Sequence, residues 1–263
     1  MLAGIELPPL WLAIAGKGGV GKSVVAGTLA RTLARRGHRV LAIDSDLMPG
    51  LARSLGTNDP QTPALLDAAE KPEGQRWRLK PGIGPARAVQ RFSTAAPDGV
   101  RLLQMGKTGP DGQAAIEGSV NAFLHVVHRM HEAPSLHAWT VIGDLAAGTR
   151  HPMVGFSPYA GLYVVLAEAG SQSALTARRI IRFAREHHRA DVLLVATKVA
   201  RAEDVALVER IAGESVGLVI PADPSVTSAE QAGSAVLDAA PDSPAVAAIG
   251  ELADLLEQRR LEP

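Results

Sequence analysis

The octapeptide Gly16-Lys17-Gly18-Gly19-Val20-Gly21-Lys22-Ser23 constrains this chain more than any other stretch of it. It follows an apolar run, Trp11 to Ala15, and opens a segment of helical periodicity, Ser23 to Arg36. That is the strand–loop–helix setting in which the pattern G-x-x-x-x-G-K-[ST] works as a phosphate loop. Glycines let successive backbone N–H groups close around phosphate oxygens, and the helix start adds positive dipole character. Lys22 is placed to neutralise the β- and γ-phosphates, and the Ser23 hydroxyl to bind Mg²⁺. The expected nucleotide contacts are Gly16, Lys17, Gly18, Gly19, Val20, Gly21, Lys22, Ser23 and Val24.

The rest of the chain fits such a loop. Six further apolar, β-branched runs follow the first: Val40 to Ile43, Val100 to Met105, Trp139 to Ile142, Leu162 to Ala167, Val192 to Ala196 and Val216 to Ile220. Between most of them lie helical patterns such as Val120 to Glu132, Ser173 to His188 and Ala202 to Ala212. This alternation predicts an α/β fold, a mostly parallel sheet of seven to eight strands with helices on both faces. No linker interrupts the pattern, so residues 1–263 are read as a single domain. Aromatic residues make up only 3% of the chain, so its core must be aliphatic, as suits buried parallel strands.

Composition closes several alternatives. The absence of cysteine removes disulfides, thiolate metal sites and thiol nucleophiles. Basic and acidic residues balance at 27 each, so any polyanion binding is local. The stretch from Leu10 to Ala15 follows Glu6, Pro8 and Pro9, and no run approaches the roughly 20 apolar residues of a membrane helix. The expected location is cytoplasmic. Lys71 to Asp98 stands apart: it is rich in Pro, Gly and Arg and shows no sustained period. It is read as either a solvated excursion or a partner-contacting or nucleotide-responsive segment.

Carboxylates fall where a phosphate-loop protein needs them. Asp44 and Asp46 follow the second strand, and period-two alternation would place them on one face. One alternative for Asp44 is a cap on the following turn; the other is a place in the Mg²⁺ shell. Asp144 ends the apolar run Val141-Ile142-Gly143, as a second Mg²⁺-coordinating position requires.

Lys17 is not demanded by the basic phosphate-loop pattern. Gly-Lys-Gly-Gly-Val-Gly-Lys-Ser resembles the deviant phosphate loop of the MinD/ParA/ArsA group of ATPases. The resemblance implies a homodimer closed across ATP, with Lys17 reaching the partner's nucleotide. Asp46, in its D-x-x-P setting, resembles the first switch and would orient the attacking water. Leu145 to His151 resembles the second switch, where Gly148 moves toward a γ-phosphate. Thr197-Lys198 resembles the N-K-x base motif with threonine in place of asparagine, and Pro221-Ala222-Asp223 resembles the loop that cups adenine through backbone groups. ATP and ADP with Mg²⁺ are the ligands so implied; Lys17, Lys22 and Asp46 would be catalytic, and Ser23, Asp44 and Asp144 would serve the metal.

Within that group, Gly99 to Gly106, Asn121 to Leu124 and Asp144 to His151 look most like the CooC branch. That branch carries metal on a C-x-C pair, where this chain has Ile116-Glu117-Gly118-Ser119-Val120. An accessory ATPase acting on a client enzyme, without cysteine-held metal, is the leading expectation. The alternatives are a ParA/MinD-type partition or positioning ATPase, and an ATP-gated scaffold. His125, His128 and His131 are read as a solvated polar face rather than a metal site. Arg178, Arg179, Arg182 and Arg185 share a helical face, but in so Arg-rich a chain the balance is against DNA. The final helix, Ala245 to Arg260, carries Glu251, Asp254 and Glu257, too acidic for a membrane anchor.

Overall fold

The computed structural model describes residues 10–58, 64–106 and 112–259. Glu6, Pro8, Pro9 and Arg260 lie outside them. Among the described residues the strands are β1 (Trp11–Gly16), β2 (Val40–Asp44), β3 (Ala69–Glu70), β4 (Arg78–Leu79), β5 (Thr94–Ala95), β6 (Arg101–Gln104), β7 (Thr140–Asp144), β8 (Leu162–Ala167), β9 (Asp191–Val199) and β10 (Val216–Pro221). The helices are α1 (Lys22–Arg35), α2 (Leu51–Ser54), α3 (Pro85–Phe92), α4 (Gly112–Val127), α5 (Arg150–Met153), α6 (Ser171–Phe183), α7 (Ala202–Ala212), α8 (Pro224–Gln231), α9 (Val236–Ala239) and α10 (Pro244–Gln258).

All seven anticipated strands are present, and with β5 they make an eight-stranded sheet in the order β10-β9-β8-β1-β7-β2-β6-β5. Every pairing in it is parallel except that of β5 with β6. Alternation divides the side chains between two layers. Leu12, Ile14, Ala42 and Ile142 pack beneath α1 and α10, while Ala13, Ile43, Val141 and Val165 pack beneath α4 and α6. Burying a side chain such as Leu12 or Ile14 contributes about 1.5–3 kcal/mol. β1 lies between β7 and β8, so the chain reverses its direction of winding around the first strand. Ligands bind at the carboxyl ends of strands at such a point.

The segment from Lys71 to Asp98 is folded, contrary to the solvated excursion its lack of period suggests. β3 and β4 form a two-stranded antiparallel sheet. α3, with Pro85 at its first turn, buries Ala88 and Val89. Trp77 packs on the larger core, and its ring lies against Gly118 of α4. Outward-facing cations give this layer its polar composition: Arg76, Arg78 and Lys80 are exposed while Trp77 and Leu79 between them are half-buried.

Candidate nucleotide site

The phosphate loop runs from the end of β1 into α1 because its backbone adopts shapes that only glycine takes easily. Gly19 and Gly21 have φ of +84° and +92°. A Cβ on Gly16 would stand 2.6 Å from the carbonyl oxygen of Leu166, so β8 admits no side chain there. The loop is tied across the sheet to its neighbours. The Gly148 N–H donates to the Gly16 carbonyl (2.9 Å) and the Leu145 N–H to that of Ile14 (3.1 Å). The expected second switch therefore begins against the phosphate loop.

Lys22 is turned inward, its ammonium donating to the Lys17 carbonyl at 3.2 Å. Burial pulls its pKa below the usual lysine range, and the charges of Asp144 and Asp46 partly oppose that. The half-buried Lys17 has no hydrogen-bond or ion-pair partner for its own ammonium among the described residues.

Asp44 and Asp144 are register partners on the adjacent strands β2 and β7, so both project toward α1. Ser23 donates to Asp144 Oδ2 at 2.6 Å. Asp144 Oδ1 is buried and has no hydrogen-bond partner among the described residues. Burial raises the pKa of Asp144, while the Ser23 hydrogen bond and the Lys22 charge hold it down. An orphaned carboxylate oxygen beside a hydroxyl is a donor set that suits a hard cation such as Mg²⁺.

Asp44 makes the contacts that the capping alternative expects. Its two oxygens accept the backbone N–H groups of Asp46 (3.0 Å) and Leu51 (3.1 Å), which shapes the loop between β2 and α2. Burial, then the neighbouring Asp144 charge, raises its pKa. The sharing of one strand face by Asp44 and Asp46 does not hold, because β2 ends at Asp44. Asp46 sits in the loop, half-buried, where Oδ1 accepts the Met48 N–H at 3.0 Å.

The residues expected around the base do converge. Val20, Gly21, Val24, Thr197, Lys198, Pro221, Ala222 and Asp223 are among those lining a cavity of about 400 Å³. Their polar ends are largely engaged elsewhere. Thr197 Oγ1 donates to the Val20 carbonyl (3.0 Å) and Lys198 Nζ to that of Gly19 (2.6 Å), so both side chains brace the phosphate loop. The Asp223 carboxylate accepts from Ser225 and Ala245, capping α8 and reaching the first turn of α10. Backbone groups and aliphatic surface are what this cavity offers a base. A second cavity of about 460 Å³ opens from Gly19, Lys22 and Ser23 toward Arg53 and Glu230.

Sequence reasoning passed over Ser45. Its backbone N–H donates to the Asp144 carbonyl at 3.1 Å and its hydroxyl to the same oxygen at 3.0 Å. Oγ also lies 3.1 Å from Nδ1 of His151. No motif signals this contact, which joins residues 106 positions apart. His125, His128 and His131 are exposed, as a polar face would have them. His125 Nδ1 bonds the Asn121 carbonyl, and His128 Nε2 bonds that of Gly155. Among the described residues no group of three or more His, Asp or Glu could hold a metal ion. Arg178, Arg179, Arg182 and Arg185 are exposed as expected, but Arg185 is paired with Glu214 at 2.8 Å. No described helix is long and apolar enough to cross a membrane.

Comparison with known proteins agrees with this geometry. The family described as the CobQ/CobB/MinD/ParA nucleotide binding domain matches residues 11–236. The carbon monoxide dehydrogenase accessory protein CooC of Rhodospirillum rubrum is 30% identical over 88% of this chain and 90% of its own length. The cell division ATPase MinD of Pyrococcus furiosus superposes with a TM-score of 0.71 over 94% of this chain and 98% of that one, at 19% identity. The septum site-determining protein MinD of Pyrococcus horikoshii, solved with Mg-ADP, gives 0.69 over 96% and 98%, at 17% identity. At such identities the structural likeness is one of fold. With the phosphate loop, the buried Asp144 and the family match together, the chain belongs to the CobQ/CobB/MinD/ParA family, as a P-loop ATPase of the MinD/ParA type that takes ATP or ADP with Mg²⁺.

Proposed function

We propose that this ATPase is a nucleotide-driven dimerising switch of the CooC kind, which acts on a client enzyme and carries no metal on cysteines. The observation that supports it most is the likeness to CooC over nearly the whole of both chains. Within this reading, the loop amides and Lys22 hold the β- and γ-phosphates, and Ser23 and Asp144 are the residues that would hold Mg²⁺. The ion, when bound, neutralises phosphate charge as it develops. Asp46, on the loop that Asp44 shapes, orients the attacking water. Lys17, whose ammonium is uncommitted, crosses to the nucleotide of a second copy and offsets transition-state charge. Thr197, Lys198, Pro221, Ala222 and Asp223 frame the base, chiefly through their backbone.

The segment that corresponds to the CooC metal pair is closed in this chain. Gly118 lies under the Trp77 ring, and the Ser119 hydroxyl donates to the Met105 carbonyl. A partition or positioning role is the second reading, and the exposed arginines of α6 are what favour it. Two variants separate the readings. Lys17→Ala should bind ATP yet stay monomeric, and Asp46→Ala should accumulate as an ATP-bound dimer; light scattering with and without Mg-ATP reads both. A Lys17→Ala protein that doubles its mass with ATP removes the crossed lysine. Recovery of one enzyme by immobilised Asp46→Ala with Mg-ATP, and not by Lys17→Ala, supports the accessory role. Salt-sensitive, ATP-dependent retention of duplex DNA instead moves the reading to partition.

A further inference from the structure

We propose that His151 is a positioning residue for hydrolysis: by donating from Nδ1 to Ser45 Oγ it latches the Asp46 loop to α5, in the second-switch segment beyond Gly148. The inference rests on the reading of Asp46 and Asp144 given above. It starts from proton accounting at one hydroxyl. Ser45 Oγ carries a single proton, and at 3.0 Å from the Asp144 carbonyl that proton lies between the two oxygens. The contact of 3.1 Å to His151 Nδ1 then requires the ring to donate. Burial holds the His151 pKa below the ordinary imidazole range, in keeping with a neutral ring protonated at Nδ1. Nε2 is left as an acceptor with no partner among the described residues.

The ring is held from behind. Phe156 stacks on it with centroids 4.0 Å apart and planes 13° from parallel. Phe156 in turn meets Phe123 of α4 at 6.0 Å, and His128, just past the end of that helix, bonds the Gly155 carbonyl at 2.8 Å. A chain of contacts thus runs from α4 through Phe156 and His151 to Ser45. Ser45 sits between the loop-shaping Asp44 and the expected water-orienting Asp46. The metal-facing side of Asp144 and the backbone side of the same residue are therefore held by different loops, Ser23 in front and Ser45 behind. Without the latch, Ser45 keeps its bonds to β7, but the second-switch segment beyond Gly148 loses its tie to the first.

The test is steady-state ATP hydrolysis by the full chain. His151→Ala should lower kcat about tenfold with the KM for ATP changed less than about twofold, the pattern of an interaction that matters in the transition state. His151→Asn, whose amide N–H can take the place of Nδ1–H, should recover most of the loss, and His151→Gln should not. Ser45→Ala should match His151→Ala, and the double variant should be no worse than either. Nitrogen NMR of the wild-type ring should show the Nδ1-protonated neutral tautomer, lost in Ser45→Ala. A wild-type kcat in His151→Ala, multiplicative losses in the double variant, or an Nε2-protonated ring each overturns the latch. Asp46→Ala at the parent rate would instead remove the reading on which the latch rests.

Discussion

Asp44 and Asp144 invite comparison because so much about them is alike. Both end apolar strands, both are buried, and they sit side by side in register on β2 and β7. Their hydrogen bonding separates them. Asp44 accepts two backbone N–H groups and has built a loop with them. Asp144 accepts one hydroxyl, and its buried Oδ1 has no hydrogen-bond partner among the described residues. Burying an unpartnered polar atom costs free energy, so Oδ1 of Asp144 carries a cost that the two hydrogen-bonded oxygens of Asp44 do not, although burial raises the pKa of both carboxyls. The difference separates a carboxylate bonded through both oxygens to backbone from the one proposed above for Mg²⁺.

The comparison predicts its own failure points. Asp144→Asn should show the largest effect, a loss of Mg²⁺-dependent turnover of about a hundredfold or more in a steady-state assay. Next is stability in the absence of nucleotide. Asp44→Asn should lower the unfolding free energy by about 1–3 kcal/mol, because one amide of the loop loses its acceptor, whereas Asp144→Asn should raise it by about 1 kcal/mol. Equal signs in a urea titration of the two variants would end the distinction. The gain from Asp144→Asn should also shrink with acidity. Burial raises the folded-state pKa of Asp144, so the penalty of its charge is full above that pKa and absent below the unfolded value. The two denaturation midpoints should therefore converge as pH falls from 8 toward 4. The smallest effect is local. Ser23→Ala removes the hydrogen bond that holds Asp144 down, so carboxyl carbon NMR should show its titration moving upward; a movement at Asp44 alone would break the assignment.

What the sequence made legible follows from the range of the interactions involved. The phosphate loop, the seven strands and the bounds of α7 were readable because each is set by neighbours within a few residues. The Asp144 position was readable because it ends an apolar strand after a phosphate loop. The pairing of Asp44 with Asp46 was misread for want of one fact, that the strand stops at Asp44. The folded layer from Lys71 to Asp98 was illegible because its stabilising contacts are distant: Trp77 rests on Gly118, and β5 is two residues long. Gly84-Pro85 before Ala88 and Val89 was a helix-start signal that could have been taken. The Ser45–His151 contact had none.

The closeness of Trp77 to α4 limits where this chain could accept a pair of cysteines by substitution. A cysteine pair with one residue between, placed within residues 116–120, can fall at 116 and 118, at 117 and 119, or at 118 and 120. Every placement therefore uses Gly118 or Ser119. A Cβ at 118 would stand 2.9 Å from the Trp77 ring and 2.8 Å from Leu66, and Ser119 is buried with its hydroxyl committed to Met105. A side chain at 118 would thus have to displace the Trp77 ring and Leu66, and a cysteine at 119 would give up the hydroxyl bond to Met105. The layer over α4 decides what residues 116–120 can carry through contacts far off in sequence.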